Sequence, residues 1–317
     1  MNWHERAAVA APGVASILLA AAILMPSFDV SLGRIDVIAV IDITQSMNVR
    51  DTAVDGLPVS RREFAKQALV RAVSSLPCGS RIGLGVFTDY RVYVLFKPLE
   101  TCANRQEIED SIAHINERMS WARSSQIAKA LHISLRTLAQ LESPPALAFI
   151  TDGHEAPPVN LQYPVDLGGE AGRVHGVIAG VGGSRALPIP KHDPDGRPIG
   201  VWQADEVAQV DPYSRGRQGS AANEAMADAG SAAAVPEALR VTPGSEHLSS
   251  LHEPYLRWLA AEAHFTYGRL TTVDDLSGLL QSSLAVRQPV PTDVRWVAAL
   301  LALAALLVPH CSRTERG

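Results

Sequence analysis

Short apolar segments alternate with amphipathic ones along most of the chain. Residues 35–41 form a near-continuous β-branched run, and residues 146–150 form a second apolar run, so both are predicted to be buried strands. Residues 60–76 and 126–141 carry apolar side chains at helical spacing, which predicts helices with one buried face. Alternation of this kind is typical of an α/β fold with a doubly wound, Rossmann-like sheet and helices on both faces.

A predicted hairpin brings two cysteines together. Residues 80–87 and 91–96 have the pattern of strands joined by a turn near Asp89 and Tyr90. Cys78 and Cys102 lie equally far on either side of Tyr90, so the hairpin would place them opposite each other, within reach of a disulfide. The alternative is that Cys78 and Cys102 are free thiols of a cytosolic protein and that their spacing is a coincidence. A disulfide would indicate an oxidising compartment.

Residues 184–250 interrupt the alternation and are predicted to be an insert. Residues 192–196 contain Asp-x-Asp-Gly, but the downstream acidic ligands of a calcium loop are missing, so a hairpin turn is favoured. Residues 208–245 are rich in Ala, Gly, Ser and Asp, a composition that predicts a mobile segment. The domain, 34–284, is then completed by the predicted helix 251–264, strand 265–270 and helix 274–284.

Both ends of the chain carry uncharged apolar runs. Residues 1–28 are predicted to hold an N-terminal transmembrane anchor and residues 294–309 a C-terminal transmembrane helix, followed by a short tail, 310–317. A signal peptide is the alternative for the first run, and a buried helix for the second. Arg6, Arg313 and Arg316 favour cytoplasmic termini and an exported domain, which leaves Cys311 on the cytoplasmic side.

Candidate chemistry appears where the two buried strands end. Asp42, Thr44 and Ser46 follow the first strand, Asp152 follows the second, and Ser125 opens the helix between them. Carboxyl ends of strands are the binding edge of an open α/β sheet. Oxygen ligands suit Mg²⁺ or another divalent cation such as Ca²⁺ or Mn²⁺, and the absence of Cys and His argues against zinc or copper. The alternative is that these residues are only helix N-caps.

These five residues resemble the metal-ion-dependent adhesion site (MIDAS) of von Willebrand factor A (vWA) domains. The family pattern is Asp-x-Ser-x-Ser on the first loop, Thr on the second and Asp on the third. Thr44 stands where the family usually has Ser, and Ser125 where it usually has Thr, and both exchanges keep a hydroxyl. The resemblance covers residues 34–182 and implies metal ligation by all five side chains.

The organisation of the chain and two short segments indicate a particular branch of the vWA family. An insert and two flanking spans resemble the membrane-anchored bacterial branch of the family, whose members are usually encoded beside a MoxR-type AAA ATPase. Residues 42–48 and 149–158 look like the MxaL-type accessory proteins of methylotrophic bacteria, implicated in calcium insertion into periplasmic methanol dehydrogenase. The resemblance implies a domain on the periplasmic side of the inner membrane, with methanol dehydrogenase or fellow accessory proteins as partners. The alternative is a general envelope-complex assembly or stress-tolerance factor.

We expect the site to bind a protein partner and not to catalyse a reaction. Two carboxylates leave a divalent ion with little excess negative charge, so a Glu or Asp of a protein partner could complete its coordination. An Mg²⁺-dependent phosphate hydrolase is the enzyme alternative, with His154 and Glu155 as acid or base. No phosphate-binding loop or paired nucleophile is present, so His154 is expected at the loop rim and the protein is not expected to be an enzyme. A structural role with a vestigial site is a third possibility.

The net charge of −5 and the lack of basic clusters exclude nucleic acid as the expected partner.

Overall fold

The structure is a computed structural model that describes residues 3–24, 28–119, 124–159, 167, 169, 172–207, 245–292 and 295–314. The chain divides into two compact units, one of residues 34–286 and the other of the two ends, 1–33 and 287–317. The predicted mobile segment, 208–245, lies outside the described residues except for Ser245.

The helices are α1 Trp3–Leu24, α2 Arg61–Ser75, α3 Arg105–Ala113, α4 Ile127–Ala139, α5 Glu253–Glu262, α6 Asp275–Leu284 and α7 Arg295–Thr314. The strands are β1 Phe28–Arg34, β2 Asp36–Asp42, β3 Thr52–Val54, β4 Leu57–Val59, β5 Arg81–Thr88, β6 Arg91–Glu100, β7 Ala146–Thr151, β8 Gly176–Val181, β9 Leu187–Pro188, β10 Pro190–His192, β11 Pro198–Val201, β12 Leu248–Ser249, β13 Thr266–Leu270 and β14 Val286–Thr292.

A six-stranded sheet with the order β13-β8-β7-β2-β5-β6 forms the centre of the larger unit. All its neighbouring strands run parallel except β6, which pairs antiparallel with β5 at one edge. β2 therefore lies between β5 and β7, and every residue of β2 after Asp36 is buried. This arrangement confirms the predicted α/β fold with a mostly parallel sheet.

Alternate residues of β2 feed two separate cores. Ile41 packs on one face with side chains of α2, α3 and α6. Val40 packs on the other face with side chains of α4 and α5. Apolar side chains directed to both faces explain why the strand sequence is a continuous apolar run.

The predicted hairpin is present as β5 and β6. Thr88 pairs with Arg91, and Asp89 takes a left-handed conformation in the turn, with φ 62°. Cys78 and Cys102, just outside the two strands, are joined by a disulfide. A second antiparallel pair, β10 and β11, flanks the turn at Asp193 in the insert, as the turn residues predict.

Among its described residues, the terminal unit contains two helices and two strands. Helix α1 packs against α7, and β1 pairs with β14. Within the described part of the chain, no helix has the length and apolarity that crossing a membrane requires. The two predicted membrane spans, 1–28 and 294–309, are therefore not confirmed.

The close packing around Gly176 in β8 can be tested by substitution. A Cβ added at Gly176 would lie 2.2 Å from a ring carbon of Phe265 and 2.7 Å from the carbonyl oxygen of Leu147. We expect Gly176→Ala to lower the free energy of unfolding by about 1–3 kcal/mol, because an overpacked core must shift. The measurement is urea unfolding followed by circular dichroism.

Gly278→Ala is the matched control. Gly278 is exposed in α6 and has open space where a Cβ would be, so the substitution should stabilise the protein by about 0.5–1 kcal/mol through helix propensity. Equal unfolding midpoints for the two variants would show that Gly176 is not tightly packed.

Candidate functional site

The candidate site lies at the carboxyl edge of the sheet, between β2 and β7. Ile41 pairs with Ile150, so Asp42 and Asp152 follow neighbouring parallel strands. The chain continues from β2 towards β5 on one side, whereas β7 lies on the other side. Such a point, where the strand order reverses, is where ligands bind in open α/β sheets.

Asp42 organises the first loop through both carboxylate oxygens. The Thr44 N–H donates to its Oδ1 at 2.8 Å, and the Thr151 hydroxyl donates to its Oδ2 at 2.6 Å. A 3-10 helix, Gln45–Asn48, starts directly after Thr44. It places the hydroxyls of Thr44 and Ser46 3.2 Å apart, so three predicted ligands share one loop.

The second and third loops are bound to each other. The Ser125 N–H donates to the carbonyl oxygen of Ala156 at 2.7 Å, and the Ala156 N–H donates to the carbonyl oxygen of Ser125 at 2.8 Å. The Glu155 Oε1 atom accepts from the Ala128 N–H at 3.0 Å and from the Tyr255 hydroxyl at 2.5 Å. Glu155 thus fixes the start of α4, and with it Ser125, to the third loop.

Asp152 is held by a buried arginine that the sequence did not reveal. Its Oδ1 accepts from the His154 N–H at 3.0 Å, and its Oδ2 accepts from Nη1 of Arg61 at 2.7 Å. Arg61 also donates to both carboxylate oxygens of Asp51, at 2.9 and 2.6 Å. The Ser249 hydroxyl donates to Asp152 at 3.2 Å. Arg61 is the first residue of α2, a position where a basic side chain is ordinarily solvated, so no local signal indicated its burial.

The two carboxylates have different electrostatic surroundings. Burial, followed by repulsion from Asp152, raises the pKa of Asp42 to about 7. Burial also acts to raise the pKa of Asp152, but attraction by Arg61 and then by His154 outweighs it and leaves that pKa below its usual value. Asp42 is therefore the carboxylate that a bound cation would stabilise most.

A small cavity lies against three of the predicted ligands, Thr44, Ser46 and Ser125. All five predicted ligands are at most 3% exposed. The hydroxyl oxygen of Ser125 is buried and has no hydrogen-bond partner among the described residues. A buried hydroxyl without a partner is costly, and a hard cation would satisfy it. The residues therefore fit a divalent cation held by Asp42, Thr44, Ser46, Ser125 and Asp152.

His154 is placed differently from the expectation. It was predicted at the loop rim, but its side chain is 4% exposed and lines the cavity. Neither ring nitrogen has a hydrogen-bond partner within the described residues, and the ring lies edge-on to His252. Burial lowers the pKa of His154 to about 4, so the imidazole is neutral at pH 7. The rim position was wrong because the insert covers this loop.

The cover is formed by residues 187–207 and 245–249, which we call the cap. Ile189 and Trp202 of the cap pack on Val49, directly after the first ligand loop. Ile189, Trp202, Val207 and Glu246 line the cavity together with the metal-site hydroxyls. The sequence placed a hairpin within the insert but did not predict that it covers the site.

Comparison with known proteins finds a match to one family model. Residues 37–154 match the model of the von Willebrand factor type A domain. Domains of this type often bind divalent cations at a MIDAS. No curated protein sequence matches the chain.

Three solved structures show the level of structural similarity. BatB from Bacteroides thetaiotaomicron is 17% identical with a TM-score of 0.49, covering 78% of this chain and 96% of that one. An aerotolerance-related membrane protein from Bacteroides fragilis, studied with multiple mutations to serines, is 16% identical with a TM-score of 0.48, covering 78% and 98%. A membrane-spanning protein from Vibrio fischeri is 16% identical with a TM-score of 0.28, covering 78% and 97%. Similarity at this level supports no conclusion about function.

The contact between the second and third loops can be tested through the pH dependence of stability that Glu155 causes. Burial raises its pKa from 4.5 to about 7, so the folded protein binds a proton that the unfolded chain releases. Stability from this group is therefore present below pH 4.5 and is lost as the pH rises to about 7. We expect Glu155→Gln to remove this component while keeping an oxygen that accepts from Ala128 and Tyr255. The measurement is the melting temperature of both proteins from pH 5 to 8 without divalent cation.

Glu155→Ala is the comparison variant, because it removes the acceptor itself. It should destabilise the protein at every pH, by about 1–3 kcal/mol, since two buried donors lose their partner. A wild-type protein and a Glu155→Gln variant with parallel pH profiles would contradict the assignment.

Proposed function

We propose that the site is a MIDAS that binds a divalent cation, with Mg²⁺ as the expected ion, and through it an acidic side chain of a protein partner. Asp42, Thr44, Ser46, Ser125 and Asp152 would hold the ion. The observation that carries the proposal is the placement of hydroxyl side chains from the first two loops beside one cavity, with a buried Ser125 hydroxyl that has no hydrogen-bond partner among the described residues.

The charge of the site favours an acidic partner. Asp42 and Asp152 together balance a divalent ion, but Oδ2 of Asp152 is already bonded to Arg61. The remaining protein ligands are neutral hydroxyls, which donate little charge. The ion would therefore remain electron-poor and would favour a further carboxylate ligand.

Binding is proposed in preference to catalysis because neither of the two side chains suited to acid–base chemistry is placed to activate a nucleophile. Glu155 accepts from Tyr255 and from the start of α4, and it supports the loop. His154 is buried against His252, and no hydroxyl nucleophile within the described residues is hydrogen-bonded to it. A hydrolase would need a base within hydrogen-bonding reach of the proton it removes.

The setting we propose is the bacterial envelope, with the domain on the periplasmic side. The disulfide between Cys78 and Cys102 supports an oxidising compartment. A general role in assembly or stress tolerance of envelope complexes, alongside a MoxR-type ATPase, is the broader proposal. Calcium insertion into methanol dehydrogenase is the narrower one, and it depends only on the resemblance of residues 42–48 and 149–158 to MxaL-type proteins.

Removal of the Asp42 carboxylate tests the proposal. Mg²⁺ or Mn²⁺ at one hundred times its dissociation constant should stabilise the wild-type protein by about 2.7 kcal/mol, because the ion binds only the folded state. Asp42→Ala should abolish that stabilisation and also the Mg²⁺-dependent crosslinking of a partner from periplasmic extract. The measurements are thermal unfolding with and without EDTA, and crosslinking under the same conditions.

Asp110→Ala is the matched control, because Asp110 is an exposed aspartate on α3, outside the site. It should keep the full cation effect and the crosslinked partner. A stabilisation by Mg²⁺ that survives Asp42→Ala would overturn the proposed site. A cation effect without any cation-dependent partner would overturn the adhesion role.

A further inference from the structure

The cap covers part of the candidate site. The five predicted ligands are at most 3% exposed, and His154 is 4% exposed. Trp202 and Ile189 of the cap line the cavity beside these residues and pack on Val49. A side chain of another protein that approaches the ion through this cavity must therefore pass the cap.

The cap brings a carboxylate of its own to the cavity. Glu246 lines the same cavity as Thr44, Ser46 and Ser125, and it is 3% exposed. The same type of side chain, a glutamate, is what the ion would bind on a partner.

Direct contacts hold this part of the cap against the metal site. The Ile189 N–H donates to the carbonyl oxygen of His247 at 3.1 Å, which joins the two parts of the cap. Ser249 donates to Asp152 at 3.2 Å and accepts from Nη1 of Arg61 at 2.6 Å. Glu246 is thus three residues from a side chain bonded directly to a predicted ligand.

We propose that Glu246 is an intrachain ligand of the ion, occupying the coordination position that a partner's acidic side chain takes when the cap opens. This inference rests on the proposed function, because it requires a cation at the site. Glu246 then competes with the partner, and the partner's apparent affinity falls with the fraction of molecules in the closed state. A partner can then bind the ion only after the cap has moved away from it.

The test uses Mn²⁺ as the probe and the water-proton relaxation rate as the readout. This rate reports the exchanging waters on bound Mn²⁺. Glu246→Ala should add one exchanging water per Mn²⁺ and weaken Mn²⁺ binding about tenfold. Acetate should reverse the rise in relaxation in Glu246→Ala, because it can take the vacated position, and it should leave the wild-type protein unchanged.

Asp205→Ala is the matched control. Asp205 is an exposed carboxylate of the cap that does not line the cavity. It should give wild-type relaxation. An equal rise in Asp205→Ala and Glu246→Ala would show that the effect is not specific to Glu246 and would overturn the assignment.

The remaining outcomes separate this inference from the function it rests on. If the wild-type protein binds no Mn²⁺, the metal site itself is wrong. If Mn²⁺ binds and is lost in Asp42→Ala, but Glu246→Ala behaves as wild type, the site stands and only the role of Glu246 is wrong. Should Glu246→Ala not fold, the near-isosteric Glu246→Gln must still weaken Mn²⁺ binding, and unchanged binding would overturn the inference.

Discussion

Two fully buried carboxylates at the ends of neighbouring parallel strands are the constraint around which this domain is organised. Asp42 and Asp152 repel each other, and burial makes the charge of each costly. Arg61 compensates Asp152 directly, whereas the described part of the chain gives Asp42 hydrogen bonds from Thr44 and Thr151. A divalent cation would balance the second charge and satisfy the hydroxyl oxygens beside it, so the requirements of stability and of binding coincide at this edge of the sheet.

The three loops behave as one body because backbone and side-chain hydrogen bonds connect them. Thr151 on the third loop bonds to Asp42 on the first, and Ser125 on the second exchanges two backbone hydrogen bonds with Ala156 on the third. Glu155 adds a link from the third loop to the start of α4. Ligand oxygens held by such contacts are preorganised, which lowers the entropic cost of binding an ion.

The cap would set the proposed adhesion site apart from an open one. An open site would present its ion to any acidic surface, whereas here Trp202, Ile189 and Glu246 line the cavity beside the predicted ligands. Arg61 connects the two parts, since it bonds both to the predicted ligand Asp152 and to Ser249 in the cap. Under the proposed function, movement of the cap would change the hydrogen bonds of Asp152 through this shared group.

Local patterns in the sequence determined the strands, the helices, the β5–β6 hairpin and the oxygen side chains at the ends of β2 and β7, because each depends on residues close together in the chain. The burial of Arg61, the burial of His154 and the position of Glu246 at the cavity beside Thr44, Ser46 and Ser125 were decided only by the tertiary structure. Arg61 meets Ser249 across 188 residues of sequence, and no periodicity or spacing encodes such a contact. The apolar terminal runs gave helices as expected, but apolarity alone did not determine whether they cross a membrane.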